Sequence, residues 1–217
     1  MKKILVLFSI LSMSSCVVPY DAETRLLFET QIVDSNENAL SNVDVEINVS
    51  NGNGLGAGNE TISYGKTDSN GKIKLVFPSA EFDRGYEIFI QSKENENLGF
   101  LPFSFNNLEL ENFPDYKLSI PKIYRLTYDE SVPVTLQFNP VNGNKKFIDL
   151  KIDGVFCPSF TDYTDDEQSY FVNYFYAKKN QTILITYKIE NVSTGVIDTN
   201  SQEITIGTDA IQTTINY

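Results

Sequence analysis

The sequence predicts an all-β protein made of two β-sandwich domains. Apolar and polar residues alternate in many short stretches, and this period of two buries one face of a strand. Clusters of Asn, Asp and Gly separate these stretches, as turns between strands require. Long stretches with the helical period of 3.6 residues are not found in the sequence. We therefore divide the chain into a signal peptide (1–15), a tether (16–25), a first β-sandwich (26–121) and a second β-sandwich (122–217).

The first residues have the features of a secretory signal sequence. Two lysines precede the apolar run 4–11, which is too short to span a bilayer in the mature protein. The sequence then reads Met13-Ser14-Ser15-Cys16, and small residues before a cysteine resemble the lipobox of bacterial lipoproteins. This resemblance implies that Cys16 becomes the acylated first residue of the mature chain, held in a bacterial membrane by acyl chains such as palmitate. Val17 follows the cysteine, where an aspartate would signal retention, so we favour the outer membrane.

The first sandwich is predicted from strands that alternate with turn signals. The stretch 43–49 alternates valine or isoleucine with polar residues, so one of its faces is apolar. Asn70-Gly71 supplies the positive φ of a tight turn before the next such stretch. Pro78 is expected to end that strand, and Pro102 to place a later strand at a sheet edge, because proline cannot donate to the ladder. The predicted strands are 26–33, 43–50, 61–64, 73–77, 86–90, 100–105 and 116–120.

Two segments of this half carry a recognisable motif. The first contains Val33-Asp34, a turn, Ala39-Leu40 and Val43-x-Val45, and the second is Thr67-Asp68-x-Asn70-Gly71-x-Ile73-x-Leu75. Together they resemble the carboxypeptidase regulatory-like module over about residues 26–121, with Glu37-Asn38 where that family usually has glycine. The resemblance implies a transthyretin-like Greek-key β-sandwich. Because the module is non-catalytic in the family, the resemblance also implies a scaffold or interaction role and supplies no site residues.

The second half has a similar pattern of strands without that motif. Ile148, Leu150 and Ile152 alternate with charged residues, as in a half-buried strand. Residues 170–176 and 182–189 are expected to form a hairpin joined at 178–180. Short strands separated by polar turns at this spacing predict an immunoglobulin-like sandwich. The predicted strands are 134–138, 148–152, 170–176, 182–189, 203–206 and 211–217.

The charge and the side-chain inventory argue against several functions. The formal charge of −12 argues against nucleic-acid binding, which needs Lys and Arg to replace phosphate counterions. The sequence has no histidine, so an imidazole base, a Ser-His-Asp triad and histidine metal ligands are excluded. With Cys16 acylated, Cys157 remains as a single cysteine, which we predict to be a buried apolar side chain and not a reactive thiol. We therefore expect neither enzyme activity nor a cofactor.

An acidic cluster in the second half is a weak candidate for a calcium site. Asp162, Asp165, Asp166 and Glu167 offer hard oxygen ligands close together in the sequence. They lack the residue order of a calcium-binding loop, so a solvated acidic loop is the alternative.

A row of tyrosines is the second candidate site. Tyr170, Tyr174 and Tyr176 fall on one face of a predicted strand, and Phe171 and Phe175 fall on the other. The tyrosine face is either sandwich core, a contact surface for a protein, or a surface on which sugar rings stack.

These observations support three functions. The first is a non-catalytic, lipid-anchored envelope protein that acts as a structural or accessory component and binds another envelope protein. The second is a surface glycan-binding protein, suggested by the tyrosine row. The third is a pilin-like fimbrial subunit in which Arg25, just before the first predicted strand, is the processing site. Periplasmic and surface-facing orientations both fit the sequence.

Overall fold

The structure is built mostly of β-strands. The computed structural model describes residues 20–51, 58–80, 85–91, 99–101, 103–141, 143–158, 161–162 and 173–217. This part of the chain contains two short 3-10 helices, Leu110–Asn112 and Pro114–Tyr116, and no helix long and apolar enough to cross a bilayer. The strands are β1 (Tyr20–Val33), β2 (Asp44–Asn51), β3 (Gly58–Lys66), β4 (Lys72–Ala80), β5 (Tyr86–Gln91), β6 (Phe103–Leu108), β7 (Lys117–Tyr124), β8 (Ser131–Asn139), β9 (Lys145–Asp153), β10 (Phe156–Pro158), β11 (Thr161–Asp162), β12 (Tyr174–Lys178), β13 (Gln181–Asn191), β14 (Val196–Ile206) and β15 (Ile211–Asn216).

The first β-sandwich packs sheet A against sheet B. Sheet A has the strand order β4-β1-β7, and sheet B has the order β11-β6-β5-β2-β3. Exposed and buried residues alternate along the first part of β4, so the period of two in the sequence is retained in the fold. Phe77, Tyr86 and Phe113 form an aromatic triad in the core, with ring centroids 5.3, 5.8 and 5.6 Å apart in edge-to-face pairs.

The second β-sandwich packs sheet C against sheet D. Sheet C has the strand order β10-β12-β8-β15, and sheet D has the order β14-β13-β9. The core between these sheets includes Phe175, Ile183, Ile185 and Ile215. The predicted all-β fold with two β-sandwiches is therefore confirmed.

The first sandwich extends beyond its predicted limits at both ends. Strand β1 starts at Tyr20 and not at residue 26, because its first two residues pair with the last two residues of β4. Strand β4 continues through Pro78, which is tolerated because β4 is an edge strand of sheet A. Strand β7 runs through Pro121 to Tyr124, so the boundary predicted after residue 121 lies inside a strand.

Two predicted strand arrangements are wrong. Segments 170–176 and 182–189 do not form a hairpin, because β12 pairs with β8 and β10 whereas β13 pairs with β14 and β9. Asn180, with a φ of 57°, lies in the connection that crosses from sheet C to sheet D. The strand expected at the sheet edge over 100–105 is β6, which lies between β5 and β11 because Pro102 precedes the strand and leaves its ladder intact.

Two related turns shape one end of the first sandwich. The carboxylate of Asp34 accepts hydrogen bonds from the backbone amides two and four residues further on, at 2.8 and 2.9 Å. The carboxylate of Asp68 accepts the equivalent bonds at 2.8 and 2.9 Å. The fourth residue of each turn has a positive φ, 67° at Glu37 and 70° at Gly71. The two Asp-Ser-Asn sequences therefore encode the same local structure, with glycine at the strained position in only one of them.

Replacing Glu37 by glycine should yield a protein about 1 kcal/mol more stable than replacing it by alanine. Both variants lose the contacts of the carboxylate, which lies 3.2 Å from Lys122 Nζ and accepts a hydrogen bond of 3.1 Å from the Tyr124 hydroxyl. Only glycine adopts the positive φ without steric cost, so the difference between the variants reports backbone strain, reduced by the greater conformational entropy that glycine gives the unfolded chain. Urea-induced unfolding of the two variants is the measurement, and equal stabilities would show that Glu37 is not strained.

The Asp68 turn should make stability depend on pH in the acid range. Hydrogen bonds from the backbone amides of Lys72 and Asn70 lower the pKa of the Asp68 carboxyl. Because the folded pKa lies below the unfolded value of about 4, this contribution is complete above pH 4 and is lost as the pH falls through the folded pKa. We expect Asp68→Asn to lose less free energy of unfolding than the wild type on acidification below pH 4, measured by urea unfolding at several pH values. Parallel pH curves for the two proteins would contradict this expectation.

Candidate functional site: a tyrosine cluster at the junction of the sandwiches

Strand β12 divides its side chains between the second core and an outer face. Phe175 and Ala177 point inward and are fully buried. Tyr174 and Tyr176 alternate with them and therefore lie on the outer face of sheet C. Because β12 is an inner strand, hydrogen-bonded to β8 on one side and β10 on the other, both tyrosines stand on a rigid backbone.

A third ring completes the tyrosine cluster, which consists of Tyr128, Tyr174 and Tyr176. The ring centroids of Tyr174 and Tyr176 are 5.6 Å apart at an interplanar angle of 82°, and those of Tyr128 and Tyr176 are 5.8 Å apart at 86°. The Tyr174 hydroxyl donates a hydrogen bond of 3.1 Å to the Tyr176 hydroxyl. Tyr128 is 58% exposed and Tyr174 39% exposed, whereas Tyr176 is half-buried. The cluster thus presents two accessible rings supported by a third.

The turn that carries Tyr128, between β7 and β8, is held by side chains. Thr127 Oγ1 donates to Glu130 Oε2 at 2.9 Å, and Ser131 Oγ donates to the Thr127 carbonyl oxygen at 2.6 Å. Lys179, which follows β12, donates two further bonds of 2.9 and 2.6 Å to backbone carbonyls of the same turn. The turn and the end of β12 are therefore one hydrogen-bonded unit, which fixes the three rings relative to one another.

The cluster lies where the two sandwiches meet. Tyr176 packs against the core of the first sandwich, and Cys157, its neighbour on β10, is fully buried in that core. At the end of β12, Lys178 Nζ donates to the Ser35 carbonyl oxygen at 2.8 Å and to Asn36 Oδ1 at 3.1 Å. Sheet C thus contacts the first sandwich through the same strand that carries two of the three tyrosines.

The buried position of Cys157 is as predicted from the sequence. Burial raises the pKa of the Cys157 thiol to about 11, although the nearby Arg125 guanidinium acts in the opposite direction. A thiol with so high a pKa is protonated at neutral pH and is a poor nucleophile. Cys157 therefore contributes packing to the junction.

The electrostatics of the tyrosine cluster favour binding over proton transfer. The side-chain hydrogen bond between Tyr174 and Tyr176 raises the pKa of the Tyr176 hydroxyl, and burial raises it further. The cluster therefore offers ring faces, ring edges and, at Tyr176, a hydroxyl that stays protonated at neutral pH. These groups make apolar and hydrogen-bonding contacts, whereas a general base needs a pKa near the working pH.

The chain is distantly similar to several solved structures. It matches no family model, and no curated protein matches it. It is similar to the shaft pilin SpaA of Lactobacillus rhamnosus GG, with 13% identity over 89% of this chain and 98% of that chain and a TM-score of 0.31. For the minor pilin GBS52 of Streptococcus agalactiae, the identity is 9% over 88% of this chain and 94% of that chain, with a TM-score of 0.28. A 9R-lipoxygenase from Cyanothece is 12% identical over 56% of this chain with a TM-score of 0.31, and the chain spans only 20% of that protein. TM-scores this low assign neither a shared fold nor a function to the chain.

The structure describes only some of the other predicted site residues. Asp162 lies in the two-residue strand β11, where it pairs with Asn106 of β6. The calcium site stays a prediction, because its other three candidates lie outside the described residues. Across the described ranges, no group of three His, Cys, Asp or Glu side chains is close enough together to hold a metal ion. The candidates outside the described residues are Cys16, Asp165, Asp166, Glu167 and Tyr170.

Arg25 lies inside β1 and not before the first strand as predicted. It pairs with Pro78 of β4, directly after an irregularity in register that begins at Asp21. Its Nη1 donates a hydrogen bond of 3.2 Å to the Thr24 carbonyl oxygen. Cleavage after Arg25 would therefore cut a strand that is paired on both sides of the break.

Sequence reasoning missed Tyr128. This residue belongs to a turn, so no alternating pattern places its ring on a particular face. A large aromatic residue in a polar turn was the only available signal, and its position beside β12 depends on tertiary contacts between distant segments.

Proposed function

We propose that the chain is a non-catalytic, lipid-anchored protein of the bacterial envelope that binds a partner protein through the tyrosine cluster. The lipobox-like sequence ending at Cys16 supports the anchor, and the resemblance to the carboxypeptidase regulatory-like module supports a scaffold role. The observation that carries the proposal is the cluster itself, in which two exposed rings are fixed on a rigid backbone at the junction of the sandwiches. Tyrosine is enriched at protein interfaces and among the residues that dominate their binding energy.

Preorganisation makes the cluster suited to binding. Binding usually loses free energy when mobile side chains become ordered, by about 0.5–1.5 kcal/mol for each flexible side chain. Here a hydrogen bond between their hydroxyl groups restricts the side chains of Tyr174 and Tyr176 before any partner binds. Hydrogen bonds within its turn likewise fix the backbone that carries Tyr128. A partner therefore meets a surface that needs little further ordering.

The angles between the rings favour a protein partner over a glycan. A sugar ring stacks flat on one aromatic face, and an extended polysaccharide needs several faces that point the same way. The neighbouring rings of the cluster are nearly perpendicular, at 82° and 86°. They form notches between a face and an edge, which suit an inserted apolar or cationic side chain. Glycan binding remains the second candidate because Tyr128, at 58% exposure, presents a single accessible ring.

Site-specific photo-crosslinking in intact cells tests the proposal. A photoreactive phenylalanine analogue replaces Tyr128 or Tyr174 in the cluster, or Tyr116 as the control. Tyr116 is 57% exposed and lies in the first sandwich outside the cluster, so it is matched for side chain and accessibility. We expect one adduct of defined mass from positions 128 and 174 and none from position 116. A Tyr174→Ser change should reduce the adduct formed at position 128 by about tenfold or more.

The outcomes separate the candidate functions. No adduct at 128 and 174, or equal adducts at all three positions, would refute the protein-binding site. Polysaccharide binding on an array that Tyr128→Ala abolishes would place the glycan hypothesis first. The mass of the mature N-terminus tests the anchor, since an acylated Cys16 supports it and an N-terminus created by cleavage after Arg25 supports a pilin-like subunit instead.

A further inference from the structure

The outer face of sheet A is cationic in a strongly acidic protein. The chain has a formal charge of −12, with 29 acidic and 17 basic residues. Over the regularly paired stretches 25–31, 72–78 and 117–120 of sheet A, however, the outward positions carry four basic side chains and one acid, Glu29, whereas Asp21 and Glu23 lie at the start of β1. The basic residues, which we call the basic face, are Arg25, Lys72, Lys74 and Lys117.

The basic face keeps a net positive charge after its nearby acids are counted. Lys117 Nζ lies 2.6 Å from Glu29 Oε1, and Glu29 also interacts electrostatically with Lys74. Among the described residues, no carboxylate lies within 4 Å of Lys72 Nζ or Lys74 Nζ. Both lysines line an open groove of about 620 Å³ that runs across the three strands of sheet A. Two carboxylates, those of Glu29 and Asp68, also line the groove, and Asp68 interacts electrostatically with Lys72 while accepting hydrogen bonds from two backbone amides of its own turn.

The basic face also has an apolar centre. Val76 is 55% exposed on β4, and it pairs across the sheet with Leu27 of β1, which in turn pairs with Lys117 of β7. Exposed apolar side chains flanked by Lys and Arg are typical of surfaces that contact the headgroup region of a membrane.

The opposite side of the same sandwich differs in charge. At the outward positions of sheet B, Glu46 and Glu87 are half-buried, and Asp44 is almost fully buried with Lys66 3.7 Å away. An anionic surface would therefore attract sheet A more strongly than sheet B.

In sequence, the proposed anchor site lies just before the central strand of sheet A. Only four peptide bonds separate Cys16 from Tyr20, the first residue of β1, and β1 is the central strand of sheet A. Four residues reach at most about 14 Å when fully extended. Acyl chains on Cys16 would therefore keep sheet A close to the bilayer in which they are inserted.

From the basic face and this short connection we infer that the outer face of sheet A lies on the anionic phosphate headgroups of the membrane that holds the anchor. The inference rests on the anchoring part of the proposed function. The membrane is favoured over a soluble acidic partner because the cations and the exposed apolar side chains belong to the sheet whose central strand follows the proposed anchor site within four residues. The tyrosine cluster, on the outer face of sheet C, is then carried by the sandwich that lacks the anchor.

Cysteine accessibility on vesicles tests the inference with the mature, acylated full-length chain. Ser119, on the outer face of sheet A, is replaced by cysteine, and Ser201, an exposed residue of β14 in the second sandwich, gives the matched control. The native Cys157 is buried, so it should not react with a maleimide. We expect Ser119→Cys to react about tenfold more slowly on phosphatidylglycerol-containing vesicles than on pure phosphatidylcholine vesicles. High salt should remove the difference, and Ser201→Cys should react equally on both.

Charge reversal provides the second arm of the test. Lys72 and Lys74 are both exposed, so the double variant Lys72→Glu/Lys74→Glu should fold and should lose the protection of position 119. Equal labelling on both kinds of vesicle by a protein that floats with them would overturn the inference and leave the anchor intact. A protein that fails to float with vesicles would overturn the anchor and the inference together. Protection by soluble polyglutamate but not by phosphatidylglycerol would replace the membrane with an acidic macromolecule.

Discussion

Replacing Phe77 by alanine is expected to lower the free energy of unfolding by about 3–5 kcal/mol. Phe77 is almost fully buried and contacts both other members of the aromatic triad, Tyr86 at 5.3 Å and Phe113 at 5.8 Å between ring centroids. Truncation removes the transfer free energy of the ring and leaves a cavity between two rigid rings that cannot collapse into it. Two edge-to-face contacts are lost as well, each worth about 0.5–1.5 kcal/mol.

Val76→Ala is the matched control for this prediction. Val76 precedes Phe77 in the same strand but points to solvent, so its truncation should change stability by no more than about 0.5 kcal/mol. Urea-induced unfolding followed by circular dichroism and tyrosine fluorescence measures both variants, since the chain has no tryptophan. A loss below 1 kcal/mol for Phe77→Ala would contradict the enclosed triad.

Gly71→Ala is expected to cost about 3 kcal/mol or more. The residue has a φ of +70°, which an alanine adopts at a cost of about 1–2 kcal/mol. A Cβ atom at this position would also lie 2.4 Å from the Ile32 carbonyl oxygen. That oxygen accepts a hydrogen bond of 3.0 Å from the Leu40 amide, so relieving the clash would disturb the pairing of β1 with the segment after the first turn.

Gly195→Ala separates the cost of the positive φ from the cost of the steric clash. Gly195 has nearly the same φ, +69°, but no heavy atom lies within 4 Å of the position that its Cβ would occupy. We expect Gly195→Ala to show the cost of positive φ alone, about 1–2 kcal/mol, and Gly71→Ala to exceed it by at least about 1 kcal/mol. Thermal and urea unfolding of the two variants give the comparison. Similar losses at both positions would mean that the approach of β1 to the turn is not tight.

The turns could be predicted from the sequence because they are local. Asp34 and Asp68 bind amides of their own turns, so the Asp-Ser-Asn sequences determine the structure without help from the rest of the chain. The motif residue Thr67 acts at slightly longer range, since its hydroxyl donates to the Leu40 carbonyl oxygen at 2.6 Å and accepts from the Val43 amide at 2.9 Å. Alternation likewise located the strands because it reports burial of one face.

Strand pairing could not be predicted in the same way. Both β12 and β13 show an alternating pattern, and the short connection between them is compatible with a hairpin and with a crossing between sheets. The second arrangement occurs because Phe175 and Ile183 then face each other across the core of the second sandwich. Alternation along one strand correctly placed Tyr174 and Tyr176 on the same face. The contribution of Tyr128 to the site was missed because it depends on contacts between segments that are distant in sequence.

The contribution of late residues to the first sandwich has a consequence for the order in which the chain can fold. Cys157 completes the first core and Asp162 lies in the strand that covers the edge of β6, yet both follow the first strand of the second sandwich in sequence. A polypeptide that emerges amino terminus first therefore has an unfinished core and an open β6 edge until these residues follow. Open edges and apolar surface of this kind are prone to aggregation. The first sandwich is thus completed only after part of the second sandwich is available.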